Sequence, residues 1–176
     1  FAAIQRTIPL LYHRDLVYFY VQINKTALIN SGFHLFKTLM KVKIRQFGEN
    51  DFSYKSAGEL PGLIKLVDTF FELMNTLPEA KCARDLYPKK LSGPSKKLAY
   101  FLSGWLGGPR IYQEYFGEIS IPSAHRHLKI GQQQSDAWML CMQKAVEQQA
   151  YDEAFKEYLI AQLGIPAGRI VIACSR

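Results

Sequence analysis

"LIKLVDTFFELM", residues 63–74, decides how this chain folds. Leu63, Leu66, Val67, Phe70, Phe71 and Met74 recur at steps of three and four, which collects them on one face of a helix. A half-buried strand would alternate with a period of two, and this stretch does not. Pro78, just beyond it, marks the helix end.

The same period continues downstream. After "LSGPS" (91–95), with Pro94 suited to a first turn, Leu98, Phe101, Leu102, Trp105 and Leu106 form a second stripe. Gly107 and Gly108 end it, both expected to tolerate positive φ, and Pro109 follows. Trp138, Cys141, Met142 and Ala145 give a third stripe, and Phe155, Leu159 and Leu163 a fourth. Strand signals beyond residue 50 are almost absent, so the fold class expected is all-α.

With 176 residues and 48% hydrophobic content, the chain has enough material for one well-cored domain. Its beginning is different in kind. "LVYFYVQINKTALI" (16–29) is aromatic and β-branched without a helical period, and the first methionine is Met40. Residues 1–39 are either a real extension or translated upstream sequence before a natural start at Met40. The change in charge and period near there favours the latter. The domain division expected is an N-terminal extension over 1–50 and a helical domain over 51–176.

The net charge of +7 lies mostly outside that domain: residues 1–50 hold seven Lys/Arg against Asp15 and Glu49, and residues 51–176 fifteen against thirteen. A surplus of two charges argues against nucleic acid as a partner. Cys82, Cys141 and Cys174 are odd in number and widely spaced, which fits reduced thiols in a cytoplasmic protein better than a disulfide framework or a zinc site. No uninterrupted run of eighteen apolar residues occurs, so no membrane partner is expected.

"AHRHLKIG" (124–131) places His125 and His127 one residue apart. On a strand both would share a face and could clamp one ion; on a helix they lie about 200° apart, allowing one inward ligand and one solvated neighbour. From the residues alone, an inward histidine is more often a hydrogen-bonded core group than a metal ligand.

The neighbourhood resembles a known family. "AGE" (57–59), "LVDTFFELM" (66–74), "LYPKKLSGPSKKL" (86–98), "FLSGWLGGPRIYQEYFG" (101–117) and "DAWMLCMQKAV" (136–146) are together similar to the group II truncated haemoglobins, from about Ala57 to Val146 without a gap. The resemblance implies a two-over-two helical sandwich around haem b. It also implies that His125, sixteen residues after Pro109 and thirteen before Trp138, is the axial iron ligand, whereas His127 would need an insertion on one side and a deletion on the other. Leu128 and Ile130 then fall at the apolar positions after the ligand, and His127 near the haem edge.

A porphyrin is a flat apolar disc with one ionic edge, so its slot needs aromatic and aliphatic walls and one axial base. Phe70, Phe71, Leu98, Phe101, Leu102 and Trp138 are apolar candidates for those walls. By resemblance, Phe71 faces bound ligand, Tyr87 packs on haem, and Pro94 and Leu98 sit on the distal helix. Trp138 covers the ligand site and is expected to be the main distal donor. Two departures matter: Phe71 lacks the hydroxyl of the tyrosine common there, and Ser120, Pro122 and Ala124 stand where the family places arginines, leaving Lys97 or His127 for the propionates.

The function expected is reversible binding of oxygen, with nitric oxide and carbon monoxide as further ligands. The alternatives are a haem enzyme for nitric oxide dioxygenation or peroxide reduction, and a haem-free helical interaction module. No G-x-G-x-x-G fingerprint is present, so electrons would come from a separate reductase.

Overall fold

The computed structural model describes Phe47–Ser175, within a compact unit that runs from Arg45 to Arg176. The expectations for residues 1–39 and for a start at Met40 lie outside the described residues. Phe47 belongs with the helical unit: its ring packs on Phe52, Phe155 and Tyr158 at 5.1–5.5 Å between centroids.

Among the described residues there are helices and no strands. They are α1 (Phe52–Ser56), α2 (Glu59–Thr76), a 3₁₀ turn (Pro78–Ala80) running into α3 (Lys81–Arg84), α4 (Ser92–Trp105), α5 (Ile111–Phe116), α6 (Ile121–His125), α7 (Gln132–Glu147) and α8 (Glu153–Cys174). α2 packs on α4 and crosses α7, and α7 in turn packs on α8, which also covers α6. The two long pairs, α2 with α4 and α7 with α8, make the sandwich.

All six residues of the α2 stripe are buried, Leu63, Leu66, Val67 and Phe70 fully so. Truncating one of them to alanine would cost about 2–5 kcal/mol. α4 differs from expectation: its buried ridge is Ala99, Leu102, Ser103 and Leu106, while Leu98, Phe101 and Trp105 are only half-buried. The Ser103 hydroxyl in this ridge is satisfied inside, donating to the Pro109 carbonyl at 2.9 Å. Small Ala99 and Ser103 fill the buried ridge, while Leu98 and Phe101 pack against the edge of the core.

The turn after α4 needs both glycines, for different reasons. Gly107 has φ +90°, and a Cβ there would stand 1.7 Å from the Asn50 carbonyl oxygen. Gly108 does not have positive φ, contrary to expectation; it is small because the Tyr54 ring lies against it, 2.5 Å from where a Cβ would be.

Two capping interactions begin α7 and α8. The Gly131 N–H donates to the Gln134 side chain (3.0 Å), and the Ala154 N–H to the Asp152 carboxylate (3.0 Å). α8 corrects one expectation: its mean hydropathy of 1.2 over a full window makes it long and apolar enough, by length and composition, to cross a membrane. A search for an uninterrupted apolar run passes over it because Arg169 and Gln162 break the run without lowering the mean far. Its Phe155, Leu159 and Leu163 are buried in the helical core.

Candidate functional site

Between the two helix pairs lies a cavity of about 370 Å³, of the size typical of cofactor sites. Ala83, Leu86 and Tyr87 close it on one side, Leu98, Phe101 and Leu102 of α4 on the next, and Trp138 with Gln134 and Ser135 of α7 opposite. Ile121, His125, His127, Leu128 and Ile130 come from α6 and the turn after it, and Leu163, Pro166, Ala167 and Ile170 from α8. The walls are apolar apart from a few groups, among them the imidazoles of His125 and His127.

His125 is half-buried at the last residue of α6. Its Nδ1 lies 2.7 Å from the Ile121 carbonyl oxygen. A carbonyl only accepts, so Nδ1 carries the proton and Nε2 keeps its lone pair. Such an anchored imidazole, with its tautomer and ring orientation set by a backbone acceptor, is the usual state of a metal-binding histidine. Because α6 ends at His125, the helical argument that would put His127 on the opposite side does not reach it: His127 sits in the following turn, exposed, and lines the same cavity.

Across the cavity Trp138 donates from Nε1 to the Tyr87 hydroxyl oxygen at 3.1 Å. The indole has one N–H, so in this arrangement it is engaged by Tyr87, a contact not foreseen when Trp138 was expected to be the main distal donor. Burial pushes the Tyr87 hydroxyl above its ordinary value of 10.0, with the Trp138 hydrogen bond opposing, so the phenol stays protonated at neutral pH.

Residues 53–168 match the family model for bacterial-like globins, from α1 into the last turns of α8. The chain is a bacterial-like globin. It is 31% identical over 118 residues to the group 2 truncated haemoglobin YjbI of Bacillus subtilis, covering 67% of this chain and 86% of that one. The group II 2-on-2 haemoglobin of the plant pathogen Agrobacterium tumefaciens is 32% identical with a TM-score of 0.65, over 67% of this globin and 92% of that chain. The truncated oxygen-avid haemoglobin of Bacillus subtilis is 30% identical with a TM-score of 0.62, over 68% and 98%. The all-α two-over-two fold follows.

In this globin Tyr87, Leu98, Phe101, Leu102, His125, Leu128, Ile130 and Trp138 all line the cavity. Four residues named from the sequence do not. Phe70 and Phe71 are buried one layer behind, Phe70 against Trp138 (centroids 5.0 Å) and Phe71 edge-on to Tyr87 (5.3 Å), so they hold the distal pair in place from the rear. Pro94 stays in the first turn of α4, and the exposed Lys97 directs its ammonium over the Phe116 ring at 5.2 Å. The α8 residues were not foreseen, since Pro166 and Ala167 look like helix-breaking or small filler. Arg110 and Tyr112 line a second cavity of about 260 Å³ that shares the Phe101 wall; the only sequence signal was their place just after Gly-Gly-Pro.

Proposed function

We propose that this globin binds haem b through Nε2 of His125 and reversibly binds oxygen, with nitric oxide and carbon monoxide as competing ligands. The observation that carries the reading is the His125 imidazole, anchored through Nδ1 and set in the wall of an apolar cavity. Few groups other than a flat apolar disc with a Lewis-acid centre suit such walls together with one free imidazole nitrogen. When bound, the haem supplies an iron with one open position for a diatomic gas.

The remaining roles belong to the chain. Leu98, Phe101, Leu102, Leu128 and Ile130 would exclude water from the disc, and His127, which lines the same cavity, would meet its carboxylate edge, Lys97 being turned to Phe116. Tyr87 holds a proton toward the ligand side, oriented by Trp138. The likeness to the truncated oxygen-avid haemoglobin of Bacillus subtilis favours oxygen as the ligand. The three unpaired cysteines fit a reducing cytoplasm, where a separate reductase would keep the iron ferrous and the globin would serve oxygen transport.

The test is the absorption spectrum of the chain expressed with haem available, in ferric, ferrous and carbon monoxide forms. The unaltered chain and His127→Ala are expected to show a five-coordinate histidine-ligated spectrum, and His125→Ala to lose it with most of its haem. Haem loss in His127→Ala but not in His125→Ala would refute the assignment.

A further inference from the structure

Cys174, in the last turn of α8, lies with Sγ 3.2 Å from the backbone carbonyl oxygen of His125. A thiol is a weak donor and a carbonyl only an acceptor, so the S–H donates. This is much closer than the contacts of Cys82, at 3.7 Å to the Gln133 carbonyl and 4.0 Å to that of Glu79. The His125 carbonyl is one of the orphan acceptors at a helix C-terminus, and it also receives the Leu128 N–H at 2.8 Å. Both ends of His125 are thereby tied down: the ring through Nδ1 to Ile121, and the backbone through Leu128 and Cys174.

The tie has reach as well as direction. Cys174 is 49 residues from His125 in sequence and belongs to the helix that supplies Leu163, Pro166, Ala167 and Ile170 to the cavity wall. The side chains around it on that last turn, Ile170, Val171 and Ala173, are apolar. Among the described hydrogen bonds, the thiol is the polar link between α8 and α6.

We propose that Cys174 is a positioning residue for His125: its S–H holds the backbone of the ligand histidine so that Nε2 keeps its aim into the cavity. The proposal rests on the reading of His125 as iron ligand. Losing the donor frees the α6 terminus to shift, which changes the iron–imidazole bond and the retention of haem without removing any cavity wall.

The experiment compares haem-loaded Cys174→Ser, which keeps a hydroxyl donor, with Cys174→Val, which keeps bulk and loses the donor. The readouts are the iron–imidazole stretching band of the ferrous, ligand-free form by resonance Raman, the rate of haem transfer to an excess of apomyoglobin, and Tm. Cys174→Val is expected to shift the band and speed haem loss roughly two- to fivefold, the factor that a weak hydrogen bond represents. Cys174→Ser is expected to behave as the unaltered chain. A Cys174→Val protein with an unmoved band, whatever its Tm, overturns the proposal, as does a Cys174→Ser protein as defective as Cys174→Val. His125→Ala is run in the same haem-loading step; if it still gives a histidine-ligated spectrum, the ligand assignment has failed, whereas its loss beside an unmoved Cys174→Val band faults the positioning role alone.

Discussion

The indole N–H of Trp138 is donated to the hydroxyl oxygen of Tyr87 across 3.1 Å, and Phe71 stands edge-on behind the same phenol at 5.3 Å. The tyrosine is therefore gripped from two sides while its own proton points to no protein acceptor among the described residues. At Phe71 this globin has an aromatic ring behind Tyr87; on the proposed function, donation to the ligand falls to Tyr87.

Tyr87→Phe should then speed oxygen release about five- to tenfold, the equivalent of 1–1.5 kcal/mol for one hydrogen bond. Trp138→Phe removes only the group that orients the phenol and should have the smaller effect. Carbon monoxide, less polar when bound, should respond weakly to both. Stopped-flow displacement of oxygen measures the two rates; a larger change in Trp138→Phe than in Tyr87→Phe would mean that the indole turns to the ligand after all.

Tyr151 predicts an alkaline weakness. Its hydroxyl is enclosed without a protein partner, and burial pushes it from 10.0 up to about 12. Between those values the unfolded chain has lost the proton and the folded one retains it, so folding stability falls as pH rises from about 10 to about 12 and is unaffected at neutral pH. Tyr151→Phe should flatten the fall and, by removing an unsatisfied buried group, gain up to about 1 kcal/mol at pH 7. Urea midpoints at pH 7, 10 and 11 test both signs together.

Gly107 and Gly117 both have positive φ, +90° and +76°, yet their surroundings differ. A methyl on Gly117 meets nothing within 4 Å, so Gly117→Ala carries only backbone strain, about 1 kcal/mol. Gly107→Ala drives a carbon into the Asn50 carbonyl and should cost about 2–5 kcal/mol. Thermal melts that rank the two equally would contradict the close approach of the α4 turn to the segment before α1.

A chain that begins at Met40 keeps the whole compact unit from Arg45 onward and should melt and load haem as the full chain does. One that begins at Gly48 loses the Phe47 ring from Phe155 and Tyr158 and should melt at least several degrees lower. Equal melting of all three would show that Phe47 contributes nothing.

Much of the fold was legible because period and sidedness are local properties. The spacing of Leu63 to Met74, the Gly-Gly-Pro stop and the stripe at Phe155, Leu159 and Leu163 each report on a single helix, and the first and last of these stripes are buried as read. The spacings from Pro109 and Trp138 favour His125 over His127 only through the family resemblance, which is itself read along the chain.

What only the tertiary structure decided is which face each side chain finally presents and to whom. Phe70 and Phe71 read as walls of the haem slot and lie behind Trp138 and Tyr87 instead; Lys97 read as a partner for the haem edge and went to Phe116. Tyr87 and Trp138 are 51 residues apart, and Cys174 and His125 are 49 apart. A hydrogen bond over such a separation depends on two helices meeting within a few tenths of an ångström, and that distance is set by packing, which no local pattern along the chain records.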